Sequence, residues 1–327
     1  MIQIGRFKVE EQIYESVNSR IFRGKRTSDN TPVIIKKISQ DFPSPEEIKQ
    51  FKQEYEVLSK LKTDGVVKAY ALERDGNSVV LVLEDRGAES LRKIFSGTKL
   101  ELIQFLEIGI QCAQVLGQIH AARIIHKDIN PSNITFNVQD GKIQIIDFWI
   151  ATHLSKENPV IKNPSSLEGT LPYISPEQTG RMNRSLDYRT DYYSLGVSFY
   201  ELLTNEMPFY SDDPLEFIHA IITQEPKQVS SINPNVPEQV SRIIAKLLAK
   251  NAEDRYQSSI GIVKDLEQCL EQVKINSKID LFPLGQYDVS QEFNIPQKLY
   301  GREKEVEWLL THFEEYLESF RRKGLSA

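Results

Sequence analysis

The chain has 327 residues, 40% of them hydrophobic and 9% aromatic, a length that suggests about two domains and supplies a large core. Its 40 Lys and Arg against 46 Asp and Glu leave a net charge of −6 with no long single-sign block, which argues against nucleic acid or an anionic membrane surface as a partner. No apolar run approaches membrane length and residues 1–6 lack the pattern of an export signal, so the expectation is a cytoplasmic chain whose Cys112 and Cys269 are reduced packing residues.

Phe7, Val9, Ile13, Ile21 and Phe22 alternate loosely with polar residues, and Val33-Ile34-Ile35-Lys36 is a β-branched run, so residues 7–40 predict three antiparallel strands. Ser44-Pro45-Glu46-Glu47 then combines a capping serine, proline at the first helical position and glutamate at the third, predicting a helix to about Leu61. Its apolar face is Ile48, Phe51, Tyr55, Leu58 and Leu61, and Glu54 falls on that same face. A buried acid left without a partner costs about 3–5 kcal/mol, and Lys36 at the end of the third strand is the candidate partner.

Val66 to Leu72 and Ser78 to Leu83 predict two further strands around the turn Arg74-Asp75-Gly76-Asn77, completing a five-stranded sheet with one helix. Beyond Asp85-Arg86-Gly87-Ala88 the pattern turns helical: one long helix carries Leu102, Phe105, Leu106, Gly109, Cys112, Val115, Leu116 and Ile119 at 3.6-residue spacing. Asp191 to Leu203 is apolar nearly all round, as a buried helix is, and two more helices fall near 237–249 and 259–273.

Between the long helix and the buried one lies the stretch with the densest chemistry, Ile124-Ile125-His126-Lys127-Asp128-Ile129-Asn130-Pro131-Ser132-Asn133-Ile134 followed by Lys142-Ile143-Gln144-Ile145-Ile146-Asp147-Phe148. The turn at Val138-Gln139-Asp140-Gly141 predicts a hairpin of Ile134 to Phe136 with Ile143 to Ile146, bringing Asn133 and Asp147 together. An amide and an acid there, with Asp128 upstream, are hard oxygen donors suited to a divalent cation, although any one of them alone reads more simply as a surface loop residue.

Taken together, Lys36, Glu54, His126-Lys127-Asp128, Asn133 and Asp147-Phe148 resemble the signature set of the eukaryotic-like (Hanks-type) serine/threonine protein kinases over about Phe7 to Val273. Gly169-Thr170-Leu171-Pro172-Tyr173-Ile174-Ser175-Pro176-Glu177 is similar to that family's peptide-binding segment and closing Ala-Pro-Glu, and Asp191 and Arg255 match two further landmarks. The resemblance implies an α+β, bilobal fold: an N-lobe over 7–85 with a five-stranded antiparallel sheet and one main helix, and a mainly helical C-lobe over 88–273. It implies ATP and Mg²⁺ as cofactors, with Lys36 on the α- and β-phosphates, Glu54 holding its ammonium, and Asp147 and Asn133 on the metal. Asp128 orients the acceptor hydroxyl of a protein substrate, while Ile13, Ser16, Ser19, Ile21, Glu84 and Arg86 complete the nucleotide contacts. In the same way Arg255 is expected to pair with Glu177, and Asp191 to bond the backbone of the catalytic loop.

Several positions depart from the family pattern. Tyr14, Ser16 and Ser19 stand at the three glycine positions of the phosphate loop, which restricts φ and close approach and makes weaker ATP binding the expectation. Trp149 replaces the glycine after Asp147-Phe148, where it either packs in and stabilises one loop position or blocks the active one. Asn130 replaces a lysine that contacts the transferring phosphate, and Lys127 replaces an arginine, which weakens the case for control by a phosphorylated activation loop. Ser165 and Ser166 are candidate phosphosites that read more simply as solvated loop serines. The competing reading is a pseudokinase, a nucleotide-sensing or scaffolding domain.

Residues 274–298, with Pro283, Pro296 and no clear period, read as a linker. In 299–327, Gly301-Arg302-Glu303 followed by Val306, Leu309, Leu310, Phe313 and Leu317 at helical spacing is similar to the start of an AAA/STAND-type ATPase module, or is a C-terminal amphipathic helix. That arrangement resembles bacterial sensor kinases in which a kinase domain precedes ATPase and sensor modules, with this chain as their N-terminal part.

Overall fold

Gly5, with φ of 53°, reverses the chain so that a two-residue strand β1 (Gln3–Ile4) pairs with β2 (Phe7–Glu15). The computed structural model describes residues 3–16, 18–40, 42–98, 100–153, 169–182 and 184–289. β3 (Ser19–Arg26) and β4 (Pro32–Ile38) extend the antiparallel sheet, and after helix α1 (Pro45–Lys60) come β5 (Ala69–Asp75) and β6 (Ser78–Glu84), in the order β1-β2-β3-β4-β6-β5. The sheet therefore has six strands where five were expected. β1 is too short to show alternation in sequence, yet Ile4 and Phe7 join Phe22, Val33, Ile35, Val80 and Val82 in a small apolar layer on one sheet face.

β6 is buried from Ser78 to Leu83 because both sheet faces are covered: Val80 and Val82 enter that layer, while Val79, Leu81 and Leu83 face α1 and the main core. α1 starts as its sequence dictates, with Ser44 and Glu47 forming a reciprocal capping box ahead of Pro45. The strand expected from Val66 begins only at Ala69, since Val67 N–H donates to the Ile145 carbonyl and Ile145 N–H to that of Gly65, committing 65–67 to the other lobe.

β7 (Glu89–Ser90) and the short α2 (Leu91–Phe95) lead to α3 (Leu102–Ala121), β8 (Ile124–Ile125), the hairpin β9 (Ile134–Asn137) and β10 (Lys142–Ile145), and β11 (Thr152–His153), which pairs with β8. The lower lobe is completed by α4 (Arg189–Thr204), α5 (Pro214–Thr223), α6 (Val229–Ile232), α7 (Glu238–Leu247) and α8 (Ser259–Asn276). α5 had not been expected, although Asp213 and Pro214 supply its cap and first position. Among the described residues only α3 is long and apolar enough to cross a membrane, and its Phe105, Leu106, Cys112, Leu116 and Ile119 are core residues.

The expected linker differs in its first half. Ile279 and Phe282 are buried against the lower lobe, and Gln239 exchanges hydrogen bonds with the Phe282 backbone. Residues 290–327, including the expected ATPase-like opening, and Ser165 and Ser166 lie outside the described residues.

Candidate active site

Strand pairing places Lys36 between Ile21 and Leu81 on neighbouring strands, and the side chain, 4% exposed, reaches below the sheet. Its Nζ donates to Glu54 Oε1 and Oε2 at 2.9 and 2.8 Å and to Asp147 Oδ1 at 2.7 Å. One ammonium thus joins strand β4, helix α1 and the segment after β10. Burial opposes the Lys36 charge, but Asp147 and Glu54 outweigh it and hold its pKa above the ordinary lysine range. Burial, together with the like charge of Asp147, pushes Glu54 up despite Lys36; Asp147, also opposed by burial, is held below the usual carboxylate range by Lys36.

Asp147 itself sits at φ 64°, a left-handed conformation that a non-glycine residue keeps only when its surroundings fix it. Asp128 is braced on both carboxylate oxygens: Thr170 N–H donates to Oδ1 at 2.8 Å and Asn133 Nδ2 to Oδ2 at 2.9 Å. Beneath them Asp191, fully buried, accepts from the amides of His126 and Lys127 at 2.9 and 2.8 Å and contacts His120 Nε2 at 2.8 Å. The left-handed Lys127, φ 68°, aims two consecutive amides at one carboxylate. Burial opposes the Asp191 charge, yet His120 and these donors hold its pKa low.

Arg255 and Glu177 form a buried bidentate pair at 2.6 and 2.8 Å, and the remaining guanidinium protons go to the carbonyls of Ala249, Arg189 and Lys250. All five donors are thereby used. His126 packs edge-on against Phe148 with ring centres 4.6 Å apart, as a structural loop residue. Ile21 and the 39%-exposed Ile13 lie on the strands flanking the phosphate loop, while Glu84 and Arg86, at the end of β6, are paired with each other at 2.9 Å.

The phosphate loop is closed on itself. Ser16 N–H donates to the Ser19 carbonyl at 2.8 Å, Ser19 N–H donates to Ser16 Oγ at 3.0 Å, and Ser39 Oγ and N–H donate to the carbonyls of Ser16 and Asn18. Two amides of the loop are thereby occupied, that of Ser16 by a main-chain carbonyl and that of Ser19 by the Ser16 hydroxyl. Ser39 was missed in the sequence, as was Arg92, which ties Ser132 of the catalytic loop to Glu201 of α4 and Tyr173. Neither position carries a pattern; only folding brings them to the site. Asn130, read as a lost cation, is buried and braces the loop, accepting from Ser132 N–H at 2.9 Å while its Nδ2 reaches the Asp128 carbonyl.

A mixed sheet-and-helix lobe over a helical one, with a buried Lys–Glu pair, an adjoining aspartate and a braced second aspartate between them, defines a protein kinase domain. The family model for the protein kinase domain matches residues 7–272, and the chain belongs to that family. It is 28% identical over 263 residues to a probable serine/threonine-protein kinase of Clostridium acetobutylicum, covering 80% of this chain and 39% of that protein. It is 29% identical over 282 residues to serine/threonine-protein kinase PknL of Mycobacterium tuberculosis, covering 83% and 67%. A hybrid signal transduction histidine kinase G of Dictyostelium discoideum is 31% identical over 298 residues, 65% of this chain and only 9% of that protein. The chain thus spans well under half the length of two of these three curated relatives.

Proposed function

We propose that the chain is a serine/threonine protein kinase of bacterial signal transduction that transfers the γ-phosphate of Mg-ATP to Ser or Thr hydroxyls of protein substrates. The observation that carries this reading is Lys36 Nζ held by Glu54 and Asp147 at once, within 2.9 Å of each. Phosphoryl transfer asks for positioning and electrostatics more than for covalent chemistry. In this assignment Lys36 binds the α- and β-phosphates, Glu54 orients it, and Asp128 accepts the proton of the attacking hydroxyl. Ile13, Ser16, Ser19, Ile21, Glu84 and Arg86 contact the nucleotide. Gly169 to Glu177, anchored by Arg255, presents the substrate chain.

The donor set also fits Mg²⁺. Asp147 and Asn133 offer a carboxylate and a carboxamide oxygen, too few for an all-protein cage but suited to an ion that brings phosphate oxygens and water with it. Among the described residues no cluster of three or more His, Cys, Asp or Glu forms such a cage. When bound, the ion neutralises charge on the phosphates. A cytoplasmic location accords with this ATP-dependent reading and with the two buried free cysteines. We read 299–327 as the start of an AAA/STAND-type ATPase module or as a C-terminal amphipathic helix.

The closed serine loop favours a second reading, a nucleotide-sensing or scaffolding pseudokinase. Incorporation of γ-labelled phosphate into the chain and a generic basic substrate separates the two. Label on Ser or Thr that disappears in both Asp128→Asn and Asp147→Asn is the expected result. No label with an ATP-dependent thermal shift would instead leave a nucleotide-binding pseudokinase.

A further inference from the structure

The indole of Trp149 packs edge-on against Phe51 of α1, ring centres 5.3 Å apart at 82°, and lies 5.4 Å from Lys36 Nζ. It does not separate the ion pairs of the site, since Lys36 still meets Asp147 at 2.7 Å and Glu54 at 2.8 Å. The ring stands on the α1 side of the lysine. Phe51 is one helical turn before Glu54, so a residue that fixes Phe51 fixes the rotation of α1 that points Glu54 at Lys36.

A polar tie joins the same short segment to the same helix: Gln53 Nε2 donates to the Ala151 carbonyl at 3.2 Å. Beyond it Thr152 and His153 pair with Ile125 and Ile124, anchoring the segment to the strand that enters the catalytic loop. A polar bond at this spot exchanges readily with water, whereas a half-buried aromatic ring packed on the helix and the lysine must lose its contacts before α1 can turn.

We propose that Trp149 is a positioning residue that holds α1 turned inward and so keeps the Lys36–Glu54 pair assembled. This rests on the kinase reading for its catalytic consequence, though not for its conformational one. A glycine at this position, with no side chain, would leave that work to the Gln53–Ala151 bond and the Lys36 ion pairs. The edge-on pair and the cation–ring contact together imply an effect on the inward state of roughly tenfold.

The test uses the full chain with Trp149→Gly and Trp149→Phe, followed by amide hydrogen exchange over residues 49–58 and by steady-state transfer from ATP. Exchange in α1 is expected to rise roughly tenfold in Trp149→Gly, with kcat falling and Trp149→Phe restoring both. A general loss of stability would lower the melting temperature without singling out α1 or being rescued by phenylalanine. Unchanged exchange over 49–58, or a kcat that rises in Trp149→Gly, overturns the proposal; the latter would make the ring a block. If the wild type transfers no phosphate, the kinase reading fails, and the exchange data alone decide the lock.

Discussion

Lys36 shows how little of a site's electrostatics belongs to one residue. Its charge survives burial because two carboxylates meet it, and the two are unequal: Asp147 is drawn down and Glu54 is pushed up by burial. The Glu54 partnership was readable in the sequence, because an acid on an apolar helical face requires a cation and Lys36 lies on the nearby strand. The serine clasp was not, since Ser39 reaches Ser16 through a turn between strands. Replacing Ser16 by glycine frees the Ser19 amide, which the Ser16 hydroxyl now occupies. The variant is expected to bind Mg-ATP more tightly by about 1 kcal/mol, roughly fivefold, by isothermal titration. Equal or weaker binding would show that the hydroxyl itself serves the phosphates.

At the scale of elements, α4 and the 169–177 segment are held by ion pairs that helix propensity does not explain. Tyr188, the residue before α4, makes no side-chain cap, and α4 is buried nearly throughout. It is fixed instead by Asp191 beneath the catalytic loop and by the Arg255–Glu177 pair. Burial opposes the Glu177 charge but Arg255 holds its pKa below the ordinary 4.5, so the pair stabilises the fold above that pH and loses its contribution as pH falls through the depressed value. Arg255→Leu leaves Glu177 a buried, uncompensated carboxylate, at a cost of about 3–5 kcal/mol near pH 7 in urea unfolding. Glu177 then prefers to be protonated, so the deficit should shrink between pH 8 and pH 5. A deficit independent of pH would mean that lost packing, and not the stranded charge, destabilises the variant.

At the scale of the whole molecule, the folded unit runs past the last predicted helix. Asp288 accepts from Gln257 N–H at 2.8 Å and from Ser258 N–H at 2.7 Å and Oγ at 2.9 Å, at the entrance to α8, while Gly285 N–H bonds Asp265 at 2.8 Å. Gly261 makes this possible, since a Cβ there would lie 2.6 Å from that of Asp288. Asp288→Ala should cost about 1.5–3 kcal/mol, the scale of hydrogen bonds to a charged group, and a chain ending at Val273 should lose more, because it also lacks Ile279 and Phe282 and uncovers the core surface they pack on. Thermal unfolding of the two against the full chain checks this; coincident midpoints would return 277–289 to the status of a linker.

What the sequence by itself determined is the local grammar and the set of chemical groups. The capping box, the 3.6-residue spacing of α3 and the turn at Gly141 act over a few residues, so they are written wherever those residues occur. The same holds for the kinase resemblance, which rests on residue types in order. Only the tertiary structure decided where long-range partners meet: that β1 adds a sixth strand, that residues 65–67 bond Ile145 instead of the sheet, and that the 277–288 segment packs on α8. It also decided that the Trp149 ring falls against Phe51 and leaves Lys36 joined to Asp147. Each of these depends on contacts between residues distant in the chain, whose free energy is set by burial and geometry that no local pattern encodes.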